Sequence, residues 1–251
     1  MILDQTTLLL TLLIFVAATL YSTVGHAGAS GYIAAMAFVG VAPAEMKPTA
    51  LTLNVLVASI GTARLWRAGL IDLRALLPLM LASVPMAFIG GAMQLPVTTY
   101  RVAVGCVLLA AGLRLLVDPR EKATLQGGSG AARIPLPAAV IAGTAIGLLS
   151  GLTGTGGGIF LSPLLLLLGW AGARQTAGIA APFILVNSVS GLAGNLVSLR
   201  ALPAELPLYA LAALAGALVG TQLVIRWLPV RLLQYLLAAV LLVASVKLIL
   251  T

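Results

Sequence analysis

Two glycine-rich stretches, one in each half of the chain, hold the residues whose types and spacing could do chemistry. The first break covers residues 25–31 and reads GHAGASG, and the second break covers residues 154–158 and reads GTGGG. Glycine lets the backbone turn sharply and leaves its N–H groups uncovered by a side chain. A helix that restarts after such a turn presents N–H donors and the positive end of its dipole. The chemistry expected of these breaks is therefore the binding of a small anion.

Hydroxyl and amide side chains in and after both breaks could complete the hydrogen bonding of such an anion. The residues predicted to bind it are Gly25, His26, Gly28, Ser30, Asn54, Gly154, Thr155, Gly156, Gly157, Gly158, Asn187 and Ser188. Asn54 and Asn187 could equally serve as hydrogen-bonding links between helices. His26 could be an interior hydrogen-bonded residue, or it could bind the anion or titrate near neutral pH and couple movement to protons.

The ionisable residues exclude several other chemistries. All six acids map near loops or chain ends: Asp4, Glu45, Asp72, Asp118, Glu121 and Glu205. A proton relay or cation site built on carboxylates at mid-membrane depth is therefore not expected. The chain has one histidine, His26, and one cysteine, Cys106, which are too few ligands for a zinc site. We predict no enzyme activity, no metal and no cofactor.

The composition places these breaks inside a membrane. The chain is 61% hydrophobic and 8% charged, with a mean hydropathy of +1.15, and one helical crossing of a bilayer needs about 20 apolar residues. The predicted crossings are residues 5–24, 48–64, 74–95, 98–117, 134–152, 176–198, 204–226 and 229–250. Two shorter apolar runs, 28–42 and 157–171, follow the breaks. The net charge of +8 lies mostly in loops, where it sets topology, so no nucleic-acid partner is expected.

The two halves of the chain align with each other. One ungapped offset pairs residues of the same type: Gly25 with Gly154, Gly28 with Gly157, Gly40 with Gly169, Pro78 with Pro207 and Gly91 with Gly220. The alignment predicts a first membrane repeat over 1–117, a cytoplasmic linker over 118–133 and a second membrane repeat over 134–251. A duplicated membrane unit with a broken helix in each half is typical of a transporter.

The length of each broken segment predicts that the repeats are inverted. Residues 5–42 would span about 57 Å as one helix, nearly twice a hydrocarbon core of about 30 Å. The segment must fold back, as two crossings or as a re-entrant hairpin, and the three crossings that follow invert the second copy. If the linker is cytoplasmic, most basic residues lie on the cytoplasmic side of the membrane, as the positive-inside rule requires. The basic residues that then lie on the external side are Lys47, Arg101, Arg200 and Lys247. The predicted fold is an all-α polytopic membrane protein with two inverted repeats, each a glycine-broken hairpin followed by three transmembrane helices.

These motifs resemble the TauE/SafE family, also called the toluene sulfonate uptake permease family. The second break followed by a short apolar helix with an early Pro163 is the closer match, whereas the first replaces two glycines with alanine and adds His26. The resemblance covers nearly the whole chain. It implies a secondary transporter of small sulfur-containing anions, such as sulfite, sulfoacetate or related organosulfonates, in the cell inner (plasma) membrane. It is compatible with a homodimer and with proton or ion coupling.

The mechanism expected from this resemblance is alternating access around a central anion site. Two alternatives remain open from the sequence. The breaks could form the static filter of an anion channel with the same fold, or the glycines could serve helix packing alone in a membrane assembly subunit that transports nothing. The expected partners are a small anionic substrate and the lipid bilayer.

Overall fold

The computed structural model describes residues 4–22, 25–117, 134–196, 202–223 and 230–250. Within these ranges the chain is helical, with no strand, which confirms the all-α prediction. The helices are α1 (Gln5–Ser22), α2 (Ala29–Val39), α3 (Pro43–Arg67), α4 (Leu73–Ala92), α5 (Val97–Val117), α6 (Leu136–Thr153), α7 (Gly158–Leu167), α8 (Ala173–Gly194), α9 (Leu206–Leu223) and α10 (Val230–Leu250). The predicted linker 118–133 lies outside the described residues.

Each predicted crossing corresponds to a helix, and the largest difference is at the start of α3. That helix begins at Pro43 rather than at residue 48, because a proline in the first turn costs no helical hydrogen bond. Among the described residues, four helices are long and apolar enough to cross a membrane: Gln5–Ser22, Leu73–Ala92, Leu136–Thr153 and Gln175–Gly194. Shorter apolar stretches lie in α2, α5, α9 and α10, so the count of eight crossings stays a prediction.

Both glycine breaks interrupt helices at equivalent points. α1 ends at Ser22 and α2 starts after Gly28, whose φ is 103°. α6 ends at Thr153 and α7 starts after Gly157, whose φ is 81°. Residues that carry a side chain rarely adopt a positive φ, so only glycine turns the chain at these positions without strain.

The backbone conformation agrees with the predicted duplication. Three glycine pairs that the sequence offset aligns share a positive φ: Gly25 with Gly154, Gly28 with Gly157 and Gly40 with Gly169. Each pair therefore occupies the same place in its half, namely the end of the long helix, the start of the short helix and the end of the short helix.

The counterpart helices α3 and α8 pack antiparallel. Asn54 meets Ser188, and a β-carbon added at Gly61 would have Ala181 as its nearest neighbour, 3.9 Å away. Residue numbers therefore rise along α3 as they fall along α8. Because these helices occupy equivalent places in the two halves, this is the orientation that the predicted inversion requires. The side of the membrane that each end faces stays a prediction.

Glycines allow the other large contacts between the halves. A β-carbon at Gly151 of α6 would overlap the carbonyl oxygen of Ala87 in α4. The counterpart pair, α9 and α1, makes the same kind of contact where Gly220 lies against the carbonyl oxygen of Thr19. Such small residues let membrane helices approach closely.

The helix α2 lies in the interior, while apolar side chains cover the outside. Every residue of α2 from Ala29 to Ala37 is buried. In contrast, Leu81 of α4, Ile141 of α6 and Leu211 of α9 are among the most exposed large hydrophobic side chains. This distribution suits a protein whose outer surface meets lipid rather than water, and it brings the first break to the centre of the fold.

Candidate anion-binding site

The two breaks meet at His26. The imidazole Nε2 lies 2.7 Å from the hydroxyl oxygen of Ser162 in α7 and 3.3 Å from the carbonyl oxygen of Gly158. A β-carbon at Gly158 would lie 3.1 Å from Cδ2 of the same imidazole. The histidine of the first break is therefore held by the start of the helix that follows the second break.

A small central cavity lies between the two helix starts. Its lining includes Gly28, Ala29 and Ser30 from the first half, and Gly158 and Ile159 from the second. Its volume is about 10 Å³, which is about the space that one water molecule requires. The described conformation is therefore closed at its centre.

Asn54 joins this cavity to α8. Its Nδ2 donates to the carbonyl oxygen of Thr155 at 3.4 Å and to the hydroxyl of Ser188 at 3.3 Å, and its Oδ1 is buried without a partner among the described residues. A β-carbon at Gly156 would overlap the Asn54 amide. Three of the predicted site residues thus meet around Asn54, which explains the glycine at position 156 by space as well as by its φ of 75°.

Two tyrosines that the sequence analysis missed support the first break. The Tyr21 hydroxyl hydrogen-bonds to the Ser30 hydroxyl, and the Tyr32 hydroxyl donates to the carbonyl oxygen of Ala27. A β-carbon at Gly28 would lie 2.9 Å from the Tyr32 ring. The only sequence signal for these roles is that both tyrosines lie within one or two turns of the break.

Other predicted site residues lie behind the cavity rather than in its wall. The Asn187 amide donates to the carbonyl oxygen of Phe183 in its own helix at 2.8 Å. A β-carbon at Gly157 would lie 3.0 Å from both Ile146 and Phe183, and one at Gly25 would lie 3.0 Å from the Ala177 side chain. Asn187, Gly157 and Gly25 therefore help to shape the site by packing against their neighbours, and none of them lines the central cavity.

Two larger cavities are lined by residues that the structure describes. The first, which we call the Arg64 cavity, has a volume of about 170 Å³ and is lined by Ser22, Gly25, His26 and Arg64 among others. The second, which we call the Lys47 cavity, has a volume of about 190 Å³ and includes Lys47 in its lining. His26 borders both the Arg64 cavity and the central cavity.

The charges at the centre favour an anion over a metal. The described lining of the central cavity contains no carboxylate. Over the part of the chain that the structure describes, no group of three or more His, Cys, Asp or Glu residues could hold a metal ion. The arrangement offers helix-start N–H groups, hydroxyls, an amide and an imidazole, which together can hold a small anion.

The fold and this site define a polytopic helical membrane protein built around two interrupted helices. The sequence profile of the sulfite exporter TauE/SafE family matches residues 10–248, and the chain belongs to that family. The chain is 39% identical over 235 residues to the probable membrane transporter protein y4hK of Sinorhizobium fredii (strain NBRC 101917 / NGR234), covering 94% of this chain and 95% of that protein. No solved structure gives a significant match. Family membership supports a membrane transporter rather than an enzyme.

Proposed function

We propose that the protein is a secondary transporter of small sulfur-containing anions, such as sulfite, sulfoacetate or related organosulfonates. It works by alternating access in the cell inner membrane. The family supports the general class, because its profile is that of sulfite exporters and covers residues 10–248. The sulfur chemistry of the anion rests on the family, whereas the preference for a small anion and the cycle rest on the geometry of the two breaks.

The observation that carries this proposal is the meeting of two helix starts from opposite halves at one cavity. The first turn of an α-helix has N–H groups without acceptors inside the helix. Ala29 and Ser30 supply such groups from α2, and Gly158 and Ile159 supply them from α7, and all four residues line the central cavity. Since the positive ends of both helix dipoles lie there without a carboxylate in the described lining, a small anion is the ligand that fits.

The Arg64 cavity and the Lys47 cavity provide the two routes that alternating access needs. The Arg64 cavity reaches the first break through Gly25 and His26. The Lys47 cavity reaches the end of α6, next to the second break, through Leu152. In the orientation predicted from the sequence, Arg64 is cytoplasmic and Lys47 is external. An anion could therefore enter the centre from one cavity and leave through the other when the halves rock.

The closed centre favours a carrier over a channel. A static anion filter needs space for its ion, whereas the central cavity of about 10 Å³ has room for about one water molecule. Movement of the lining is thus required in each cycle. Homodimer formation and coupling to protons or ions stay predictions.

Counterflow in proteoliposomes tests the proposal. Vesicles containing the full-length protein are preloaded with unlabelled sulfoacetate and then given labelled sulfoacetate outside. A carrier gives a transient accumulation of labelled sulfoacetate inside the preloaded vesicles, which vesicles without internal sulfoacetate do not show. A channel gives no such accumulation in either case. A panel including sulfite, sulfate and methanesulfonate identifies the preferred anion.

Thermal unfolding separates a transporter from an assembly subunit. A ligand at 100 times its Kd stabilises the folded state by about 2.7 kcal/mol, so the preferred anion should raise the Tm of the purified protein. If no anion of the panel raises the Tm or supports counterflow, the proposed function is wrong.

A further inference from the structure

The Lys47 cavity contains a buried positive charge. Lys47 is 7% exposed, and its Nζ donates to the carbonyl oxygens of Gly90 at 3.1 Å and Gly91 at 2.9 Å. The third contact, to the carbonyl oxygen of Met93, is longer at 3.4 Å. In the ranges given above, no carboxylate lies within ion-pair distance of Lys47. Among the described residues, the ammonium is therefore balanced by the partial negative charge at the end of α4, and the longest of its three contacts is the weakest.

A second donor, the Asn195 side-chain amide, has no hydrogen-bond partner in the part of the chain that the structure describes. Asn195 follows α8, is 4% exposed and lines the Lys47 cavity. Its Nδ2 is buried without a hydrogen-bond partner among the described residues. Buried amide donors are almost always hydrogen-bonded. Because this nitrogen is itself covered, rotation of the amide toward the cavity would let it donate to a ligand with acceptor oxygens. Tyr100 also lines the cavity, and its hydroxyl donates to the carbonyl oxygen of Thr153 at 3.3 Å.

The cavity is connected to the second break by direct packing. Leu152 of α6 lines it, and a β-carbon at Gly154 would lie 3.1 Å from both Cα and Cγ of Lys47. An anion held by Lys47 would thus lie beside the residues that end α6 and begin the second break.

We propose that the Lys47 cavity is a second anion site, which takes the oxyanion group of a sulfonate or sulfite between Lys47 and Asn195. Its role in delivering substrate to the second break rests on the proposed function, whereas anion binding in the cavity does not. Two donors and no described carboxylate select an oxyanion over a cation. A cavity of about 190 Å³ leaves room for the organic part of a small sulfonate.

Charge-selective thiol labelling tests the site without relying on transport. The full chain carries Cys106→Ser, which removes the single cysteine, and Gln94→Cys, which places a thiol in the lining of the cavity. The probes are 2-sulfonatoethyl methanethiosulfonate, which bears a sulfonate, and 2-(trimethylammonio)ethyl methanethiosulfonate, which bears a cation. A cleft of one charge raises the local concentration of counter-ions by about 10- to 1000-fold. We expect Lys47→Met to lower the ratio of sulfonate to cation labelling rates by about tenfold or more.

Matched variants separate the site from general effects. Lys47→Arg should keep the labelling ratio, and Asn195→Leu should weaken protection of the thiol by added methanesulfonate. Lys247→Met is the control, because Lys247 also donates to a carbonyl at a helix end, that of Phe38, but is not among the residues that line the cavity. Lys247→Met should leave the labelling ratio and the protection by methanesulfonate unchanged.

Each outcome decides the proposal. A labelling ratio that Lys47→Met leaves unchanged, or a thiol that methanesulfonate fails to protect in the chain with Lys47 intact, would overturn the anion site. Protection by methanesulfonate is measured with Lys47 intact, so it tests the anion site even if Lys47→Met misfolds. Protection in non-ionic detergent that disappears in phospholipid vesicles would assign the site to a lipid phosphate and overturn the substrate route.

Transport then tests the delivery role. Lys47→Met should raise the external sulfoacetate concentration that gives half-maximal uptake by about tenfold, in line with its effect on the local anion concentration, while counterflow persists. Unchanged half-maximal uptake would overturn the delivery role. Absence of uptake by the unmodified protein would instead remove the proposed function and leave the labelling result standing.

Discussion

The side-chain amide of Asn54 lies 3.3 Å from the hydroxyl oxygen of Ser188, although 134 residues separate them in the chain. Asn54 belongs to α3 and Ser188 to its counterpart α8, so this hydrogen bond joins the two halves of the protein beside the central cavity. The same amide reaches the carbonyl oxygen of Thr155 in the second break. One side chain therefore connects both long central helices to the break.

Gly156→Ala should disrupt transport more than the same change at Gly169. A β-carbon at Gly156 would overlap the Asn54 amide, whereas one at Gly169 meets nothing within 4 Å. Both glycines have a positive φ, so the backbone strain is matched. Overpacking costs about 1–3 kcal/mol, and we expect sulfoacetate uptake to fall about tenfold in Gly156→Ala. Equal uptake by the two variants, at equal amounts in the membrane, would contradict the central role of Asn54.

Asn54→Asp should weaken anion binding far more than Asn54→Ala. The carboxylate keeps the size of the amide but places a negative charge beside the central cavity, where like charges cost several kcal/mol. We expect half-maximal counterflow to need at least about tenfold more anion than in Asn54→Ala, and a lower Tm as well, because a buried carboxylate without a donor also costs folding free energy. The comparison would count against an anion site if Asn54→Asp transported as well as Asn54→Ala.

The sequence is sufficient to predict the two breaks and the helical segments that the described residues form. Four glycines in five residues cannot hold a good helix, and long apolar runs leave little choice but helices in a membrane. The partners across the centre could not be predicted in this way. The offset that pairs Gly25 with Gly154 also pairs Ser59 with Ser188. Ser188 nevertheless bonds to Asn54, because antiparallel packing reverses the order of contacts along the two helices. That register depends on tertiary packing alone.

His26→Ala should flatten the pH dependence of uptake if this residue couples anion movement to protons. A histidine changes charge between about pH 5 and 8, and the protonated form would favour the anion. Uptake by the unmodified protein should therefore fall as the pH rises through this window. Ser162→Ala is the matched control, because it removes the 2.7 Å hydrogen bond and keeps the imidazole. A pH profile unchanged by His26→Ala would exclude the coupling role.

Gly151→Ala should destabilise the protein, whereas Gly61→Ala should not. Both glycines lie within helices, but the new β-carbon at Gly151 would overlap the backbone of α4, and the one at Gly61 would have its nearest neighbour 3.9 Å away. The backbone of α4 cannot move aside as a flexible side chain would, so we expect a loss of about 1–3 kcal/mol. The measurement is the Tm of the purified protein in detergent. A similar Tm for both variants would show that α4 and α6 can separate without cost.

Cysteines placed after α2 and α7 should react from opposite sides of the membrane if the repeats are inverted. Ala42 and Leu168 are both exposed near the ends of these counterpart helices. In a Cys106→Ser background, an impermeant maleimide should label Ala42→Cys in intact cells and Leu168→Cys only after the membrane is opened. Labelling of both from one side would make the repeats parallel.

Lys47 and Asn195 show what the sequence analysis could not supply. The sequence predicts Lys47 on the external side, just before the crossing 48–64, and that position gives no sign that its charge is buried. Burial follows from the early start of α3 at Pro43 and from the end of α4, whose carbonyl oxygens accept from the ammonium. The contact between a lysine and the carbonyl oxygens of a helix end 43 and 44 residues away can be seen only in the three-dimensional structure.

Antiparallel contact between counterpart helices also bears on how such a chain can arise by gene duplication. α3 packs on α8, and α5 packs on α10, where Gly105 lies against Ile249 and Gly112 against Leu242. In each case the contact joins a helix to its counterpart in the other predicted repeat. An ancestral half-length chain inserted in both orientations could therefore have made the same contacts with a second molecule of itself. Fusion would then have fixed one orientation for each half, after which a residue such as His26 could be acquired on one side alone.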